Sequence, residues 1–290
     1  MESQDLRAAI YSRIDELPTL SLAVPRILRV TEDPDVNAAS LAELISRDPA
    51  LAAKMLKVAN STYYGFSRQV DSLQQAVPLV GLNMTRSLAV SIGVMSSLPA
   101  EGIRPYFSAQ GLWKHSIGVA LILEELARGL PEAGSGEHRF VMGLVHDVGK
   151  IVLAHFFEDS FRAVLRSRTE EKRNKLHETE REVLGTDHCE VASMLLGRWR
   201  FPERIVGPIR AHHEPETPEG VEARDVALLR VANVLAQELR LGEEGNPDPN
   251  PVRPEDLELL ELGPGAREEL RRRGEGVRDE VDSFFAALHA

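Results

Sequence analysis

Apolar residues recur along this chain at spacings of three and four, the period of one helix face, and no convincing run of strands interrupts them. Leu51, Met55 and Val58, with Ala52, Leu56 and Ala59, form a broad apolar face. It opens at Asp48 and Pro49, an N-cap followed by a first-turn proline, and stops near Asn60 and Ser61, with Gly65 just beyond. Asp71 or Ser72 caps a helix through Gln74 to Val80, which Pro78 must bend or shorten and Gly81 closes. Asn83 starts another through Met84, Leu88, Ile92 and Met95. Pro99, Gly102 and Pro105 then break the pattern, which predicts a subdomain boundary: a helical N-terminal subdomain over residues 1–104 packed on a helical bundle over 105–240. The fold class expected is all-α.

The second half carries polar residues on its apolar stripes. Between Leu112 and Leu130, His115 is in phase with Val119, Ile122 and Leu126, so it points inward. Asp147, next to His146, lines up with Gly143, Leu144 and Ile151; His188 leads Val191, Leu195 and Trp199; His213 follows Ile205 and Ile209. A buried polar side chain without a partner costs about 1–3 kcal/mol. These imidazoles and the carboxylate must therefore satisfy each other, water or a metal. His212 and His213 cannot face the same way on one helix, so one of them is expected at the surface. His188, just after the N-cap Asp187, has the alternative use of helping its helix start. Cys189 reads as a small core residue, and His138, His155, His177 and His289 as surface or packing histidines.

Between these stripes lie the linking segments. Pro131 to His138 reads as a turn-rich link, Thr169 to Glu182 as a charged, solvated helical face, and HHEPETPEG as a loop before the stripe of Val226, Leu229, Asn233 and Ala236. Gly242 to Pro254 reads as flexible, so residues 241–290 are expected to be a flexible segment followed by acidic, amphipathic helices.

Composition changes the picture in three places. Apolar content of 43% with only 5% aromatics favours packed helices over a β-sandwich. Forty-five acidic against 34 basic residues, a net charge of −11, argue against a dominant nucleic-acid groove or an anionic membrane surface as partner. The single cysteine rules out an intramolecular disulfide and fits a reducing compartment. The N-terminal residues lack the apolar run of a signal peptide, and no stretch approaches the ~20 apolar residues of a membrane span, so a cytoplasmic protein is expected.

The run LPTLSLAVPRILRV to KMLKVANSTYYGF, then VDSLQQAVPLVGLNMTRSLAVS, GLVHDVGKIVL, DHCEVASMLLGRWRFP and AHHEP, resembles the HDOD domain, an HD-related output domain of bacterial signalling proteins, from Leu17 to Pro215. That resemblance implies an all-helical fold whose second half is HD-like, related to metal-dependent phosphohydrolases. It also implies that the domain acts as a regulatory or interaction module, as many members do. In HD enzymes a His, an adjacent His and Asp, and a distant Asp hold a divalent metal that turns bound water into a nucleophile and neutralises phosphoryl charge. His115, His146 and Asp147 match the first three, whereas the last falls on Asn233 in LLRVANVLA, whose neutral carbonyl cannot supply the expected charge. His188, His212 and His213 match the additional histidines of the HD-GYP branch, but EPETPEG after His213 lacks its Gly-Tyr-Pro signature. Lys150 in HDVGK either meets a substrate phosphate or is a solvated lysine.

The metal set implied by the resemblance is therefore His115, His146, Asp147, His188, His212, His213 and Asn233, holding one or two ions of Fe, Mn, Zn, Co or Ni. Against it stands the reading of a hydrogen-bonded core left from an ancestral site. Tyr63, Tyr64 and Phe66 in NSTYYGF either pack the two halves together or present an aromatic patch. Two functions are expected. The first is a signalling output module that binds signalling proteins, with any metal serving structure or ligand sensing. The alternative is a metal-dependent phosphohydrolase on a nucleotide or cyclic dinucleotide, using Asp147 and Lys150.

Overall fold

The computed structural model describes residues 3–14, 16–17, 19–30, 37–98, 102–103, 105–128, 137–171, 175–243, 245, 251–263 and 265–289. Among them every regular element is a helix, and the only pairing of extended chain is one isolated bridge between Ile103 and Phe107. No single helix among these residues is long and apolar enough to cross a membrane. The chain divides into a larger unit, Met1–Leu17 with Leu98–Val277, and a smaller one, Pro18–Ser97 with Arg278–Ala290.

The first helix, α1 (Ser3–Ile14), belongs to the larger unit. The smaller unit follows with α2 (Ala23–Val30), α3 (Ala38–Ser46), α4 (Pro49–Ala59), α5 (Leu73–Val80) and α6 (Leu82–Ser97). Local chemistry sets its helix starts. Asn37 and Ser40 form a capping box on α3, Asp48 accepts the Leu51 N–H ahead of α4, and Ser72, rather than Asp71, caps α5. Pro78 sits in the last turn of α5, where few backbone bonds remain to be lost, so the helix stays short and ends at Gly81. Gly81 has φ 93°, a conformation that costs other residues dearly, and the chain bends there by 115° into α6. After α4, the Asn60 side chain both accepts from Val70 N–H and donates to Val70 O, each at 2.8 Å, which closes the loop carrying NSTYYGF.

The larger unit continues with α7 (Ala109–Arg128), α8 (Glu137–Val145), α9 (Val148–Phe156), α10 (Glu158–Glu171), α11 (Leu176–Leu184), α12 (His188–Arg198), α13 (Glu203–Ala211), α14 (Ala223–Glu238), α15 (Pro254–Leu259) and α16 (Ala266–Glu275). Helix α17 (Val277–His289) then supplies the last part of the smaller unit. There Tyr63 packs edge-on against Tyr64 and Phe284, and Tyr64 stacks on Phe66, so the aromatic residues pack within their own unit. Helices α7 and α14 are apolar almost all round and buried accordingly, which makes them the centre of the larger unit. Glycines let its helices approach closely. A Cβ on Gly143 of α8 would lie 2.7 Å from Ala120 Cα of α7, and one on Gly149 of α9 would lie 2.0 Å from the His188 carbonyl oxygen of α12.

This division differs from the expected boundaries at both ends. Leu6, Ile10 and Ile14 of α1 are buried, Tyr11 and Arg7 reach Thr186 and Glu190, and Arg198 donates to the Leu17 carbonyl at 2.9 Å; these contacts hold α1 to the larger unit. The break falls at Leu98, a few residues before the expected one. The segment from Gly242, read as flexible, is held where it is described: Glu243 N–H donates to Gly111 O at 3.1 Å, and Arg168 donates to Gly245 O at 2.8 Å. The link at 131–136 lies outside the described residues, whereas Glu137 and His138 already belong to α8. Helix α11, read as a solvated face, buries Leu176, His177, Thr179, Glu180 and Leu184. Leu176, Glu180 and Leu184 fall at i, i+4 and i+8, a stripe obscured by the charged residues between them.

Candidate metal centre

Three histidines reach the same carboxylate, each with its ring set by a bond at Nδ1. Helix α8 stops at Val145, so His146 and Asp147 lie in the turn before α9. A carbonyl oxygen can only accept, so His146 Nδ1 donates to Gly143 O at 2.8 Å and His212 Nδ1 donates to Ile209 O at 2.7 Å. His188 Nδ1 donates to the Glu180 carboxylate at 2.6 Å. In a neutral ring this leaves Nε2 as a lone pair. All three Nε2 atoms then turn toward Asp147: His146 at 3.3 Å from Oδ2, His188 at 3.3 Å and His212 at 3.9 Å from Oδ1. Asp147 occupies the N-cap position of α9 but makes no capping bond, because its side chain is turned to these rings.

These atoms are sealed from solvent. His146, Asp147 and His188 have no exposed surface, and His146 Nε2, Asp147 Oδ1 and His188 Nε2 have no hydrogen-bond partner. Three orphaned acceptors cost about 1–3 kcal/mol apiece unless something electropositive joins them. Ligand atoms around one tetrahedral ion with bonds of 2.0–2.1 Å stand about 3.4 Å apart. Each 3.3 Å spacing is close to that value, His146 facing one oxygen of Asp147 and His188 the other. The donor set of neutral imidazoles and one carboxylate suits a divalent transition metal.

Electrostatics favour the metal-binding form at Asp147 and His212 but not at His188, whose pKa the Glu180 carboxylate raises against the effect of burial. Burial alone would raise the Asp147 carboxyl, but His146 and Lys150 hold it well below the usual range. Lys150 is itself buried and bound to Asp147 Oδ2 at 2.6 Å, so it is not a solvated lysine. Burial and the neighbouring His146 push His212 well below its ordinary pKa, and burial and His212 do the same to His213. Burial drives the Cys189 thiol well up, so it stays protonated beside His212, the small core residue that was expected.

The remaining predicted residues divide. His115 is buried at the edge of the cluster, its ring 5.5 Å from that of His146, but its Nε2 bonds Asn233 Oδ1 at 2.9 Å. Asn233 thus engages Nε2, yet His115, His146 and Asp147 still offer ligand atoms within 4.8 Å of one another, as do His188, Cys189, His212 and His213. One turn earlier α7 offers no other donor, since Gly111 faces the backbone of Glu243. His212 and His213 both join the cluster, contrary to the expected surface position for one of them. Helix α13 ends at Ala211, so the pair lies in a turn where helical phase no longer applies, and His213, half-buried, sits 4.0 Å from the His212 ring and 5.1 Å from that of His188.

Sequence reasoning missed Glu180, whereas His177, read as a surface or packing histidine, is of the packing kind. His177 is buried and stacks on His213 with 4.4 Å between ring centroids. His138, read the same way, pairs with buried Asp225 at 2.6 Å. His155 is exposed, and the His289 side chain lies outside the described residues.

Burial, then the charge of His188, lowers His177 from 6.5 to about 4. The fold therefore keeps it neutral, and the unfolded chain takes up the proton first as pH falls. Stability of chelator-treated protein should drop by up to about 3 kcal/mol for this group between pH 6.5 and 4. Denaturant unfolding at half-unit pH steps should give a flatter profile for His177→Phe, which keeps the stacking and removes the titration. An unchanged profile would assign the loss elsewhere.

Beside the cluster lies a cavity of about 50 Å³ bordered by His212, His213, Asn233, Arg230, Arg253 and Asp256, with room for a few waters. Arg230 donates to the carbonyls of Ala211, His212 and Glu214 and to Asp256 Oδ1, while Arg253 donates to those of Glu214 and Pro215. These bonds satisfy the open carbonyl end of α13 and clamp residues 253–256 against the histidine turn.

A helical bundle with a His-Asp turn at its buried centre defines an HD-type domain. The chain belongs to the HDOD domain family, whose model matches residues 17–215. The structure of an HDOD domain protein with unknown function from Geobacter sulfurreducens is 31% identical, with a TM-score of 0.74, and covers 98% of this chain and 96% of that one. A Marinobacter aquaeolei VT8 structure, provisionally described as a signal transduction protein, shares the fold with a TM-score of 0.84 at 22% identity, over 99% of this chain and 66% of that one. An uncharacterized protein of Treponema pallidum is 29% identical over 225 residues, 75% of this chain. This chain spans only 42% of that relative's length.

Proposed function

We propose that this chain is a regulatory signalling module built around one divalent transition-metal ion, held by His146, Asp147, His188 and His212, with the metal serving structure or ligand sensing and with signalling proteins as partners. The observation that carries this reading is the convergence of buried, unpartnered His146 Nε2, Asp147 Oδ1 and His188 Nε2. A bound ion of this kind can activate water and neutralise phosphoryl charge. The chain's own residues supply the ligands, exclude solvent and limit the charge. Asp147 and Glu180 are the carboxylates contacting the cluster, Lys150 offsets one of them, and Asn233 adds none, so a second buried dication would be poorly compensated. The adjoining cavity is of water size, too small for a nucleotide without movement of the clamp from Arg253.

A second reading, a phosphohydrolase acting on a nucleotide or cyclic dinucleotide, draws support from Arg230 and Arg253 at that cavity, whose charge suits phosphate. One experiment separates the two. Protein purified without chelators should carry about one transition-metal ion per chain, lost in His146→Ala, and should hydrolyse phosphodiesters no faster than background after metal add-back. Substoichiometric metal indifferent to His146→Ala would remove the centre. Robust turnover abolished by Asp147→Asn would replace the regulatory reading with the enzymatic one.

Asn233→Asp offers a further check. The restored carboxylate should turn His115 into a usable ligand and tighten Mn²⁺ binding by about tenfold in calorimetry. Unchanged binding would exclude His115 from the centre even when its neighbour is charged.

A further inference from the structure

We propose that Glu180 is a positioning residue for His188: its carboxylate holds the ring with Nδ1 protonated and so aims the Nε2 lone pair at Asp147. Oxygen Oε2 of Glu180 accepts two hydrogen bonds from the same residue, the His188 ring at Nδ1, 2.6 Å away, and the His188 backbone N–H, 3.0 Å away. Ring and main chain are fixed together. The geometry explains why a carboxylate is needed here. His146 and His212 are each oriented by the carbonyl three residues earlier, which a helical approach provides. His188 is the first residue of α12, with Asp187 in extended conformation at the N-cap, so no helical carbonyl precedes it and its N–H is one of the open donors of a helix start. Glu180, from the buried stripe of α11, fills both needs.

Burying a carboxylate is costly unless it is bonded, and Glu180 has no exposed surface. Its other oxygen, Oε1, has no hydrogen-bond partner. The His188 contacts are therefore what offsets its desolvation. A carboxylate behind a ligand histidine fixes the tautomer and raises the basicity of the far nitrogen. In that respect the inference rests on the metal reading above, although the orientation itself does not.

The first test needs neither metal nor substitution at Glu180. In chelator-treated, ¹⁵N-histidine-labelled protein, at a pH above the raised pKa of His188, long-range ¹H–¹⁵N spectra should show its ring as the Nδ1–H tautomer, its signals identified by their loss in His188→Asn. An Nε2–H tautomer would overturn the proposal. The second test follows Co²⁺ uptake by visible absorption. Glu180→Gln, which keeps an acceptor oxygen and removes the charge, should bind about tenfold more weakly than the natural chain, and Glu180→Ala about a hundredfold more weakly. Equal affinity in all three would also overturn it. If Glu180→Ala fails to fold, the glutamine variant and the tautomer of the natural chain still decide. A natural chain with the Nδ1–H tautomer that takes up no Co²⁺ would defeat the metal reading while the orienting role of Glu180 stands.

Discussion

Replacing Asp147 by alanine should cost about 3–5 kcal/mol of stability and abolish metal uptake, because Lys150 would keep its buried charge and lose the carboxylate that compensates it. Lys150 lies on the first turn of α9, with its Nζ 2.6 Å from Asp147 Oδ2. The protein cannot easily turn that side chain to water. Protonation changes on the lysine would recover only part of the loss, since a neutral buried amine still needs a partner. Asp147→Asn keeps the shape and an acceptor oxygen, so it should lose the metal but less of the stability. Denaturant unfolding followed by tryptophan fluorescence reads this cleanly, because Trp113 and Trp199 are both buried in the larger unit. A loss below 1 kcal/mol in the alanine variant would mean that Asp147 does not compensate the lysine. It would also take the carboxylate out of any role as an anchor for a cation.

Gly149→Ala should be nearly as damaging without touching a single ligand. The added methyl would lie 2.0 Å from the carbonyl oxygen of His188 and 3.0 Å from Ala192 N, so it meets backbone rather than a side chain that can swing away. Helix α12 can relieve the clash only by moving, and His188 moves with it. Overpacking of this kind costs about 1–3 kcal/mol, and rigid backbone on both sides places the change at the upper end. Because the ring must stay close to Asp147, Co²⁺ affinity should fall by about ten- to a hundredfold. Gly197→Ala on the same α12 provides the contrast: nothing lies within 4 Å of its added methyl, and the substitution should stabilise the helix by about 0.5–1 kcal/mol. Similar behaviour of the two variants would show that backbone contact between α9 and α12 does not position His188.

Much of this arrangement was legible in the residues, and the exceptions have physical causes. Periodicity placed His115 and His188 inward, since each sits on or leads an apolar stripe long enough to define a phase; Asp147 is buried as expected, although it lies in the turn between α8 and α9. The caps at Asp48 and Asp187 were equally open to reading, and that of α5 to within one residue, because capping depends on a residue and its neighbours within one turn. Phase failed at His212 and His213, where the helix had already ended. It was overlooked at Glu180, because a carboxylate amid ETEREV reads as solvent-facing until a partner from another helix is known. The same limit applies to Gly149: a glycine's need for space is visible only once the helix across from it is in place.

The interleaving of the two units along the chain bears on how the protein is made. The smaller unit is not complete until Arg278–Ala290 have been synthesised, since Phe284 supplies the edge-on partner of Tyr63. During translation α2 to α6 emerge, and then the whole histidine-bearing bundle, before this last part of their unit is made. Nascent chains stalled before residue 278 should be the aggregation-prone species, and the ones on which chaperones act.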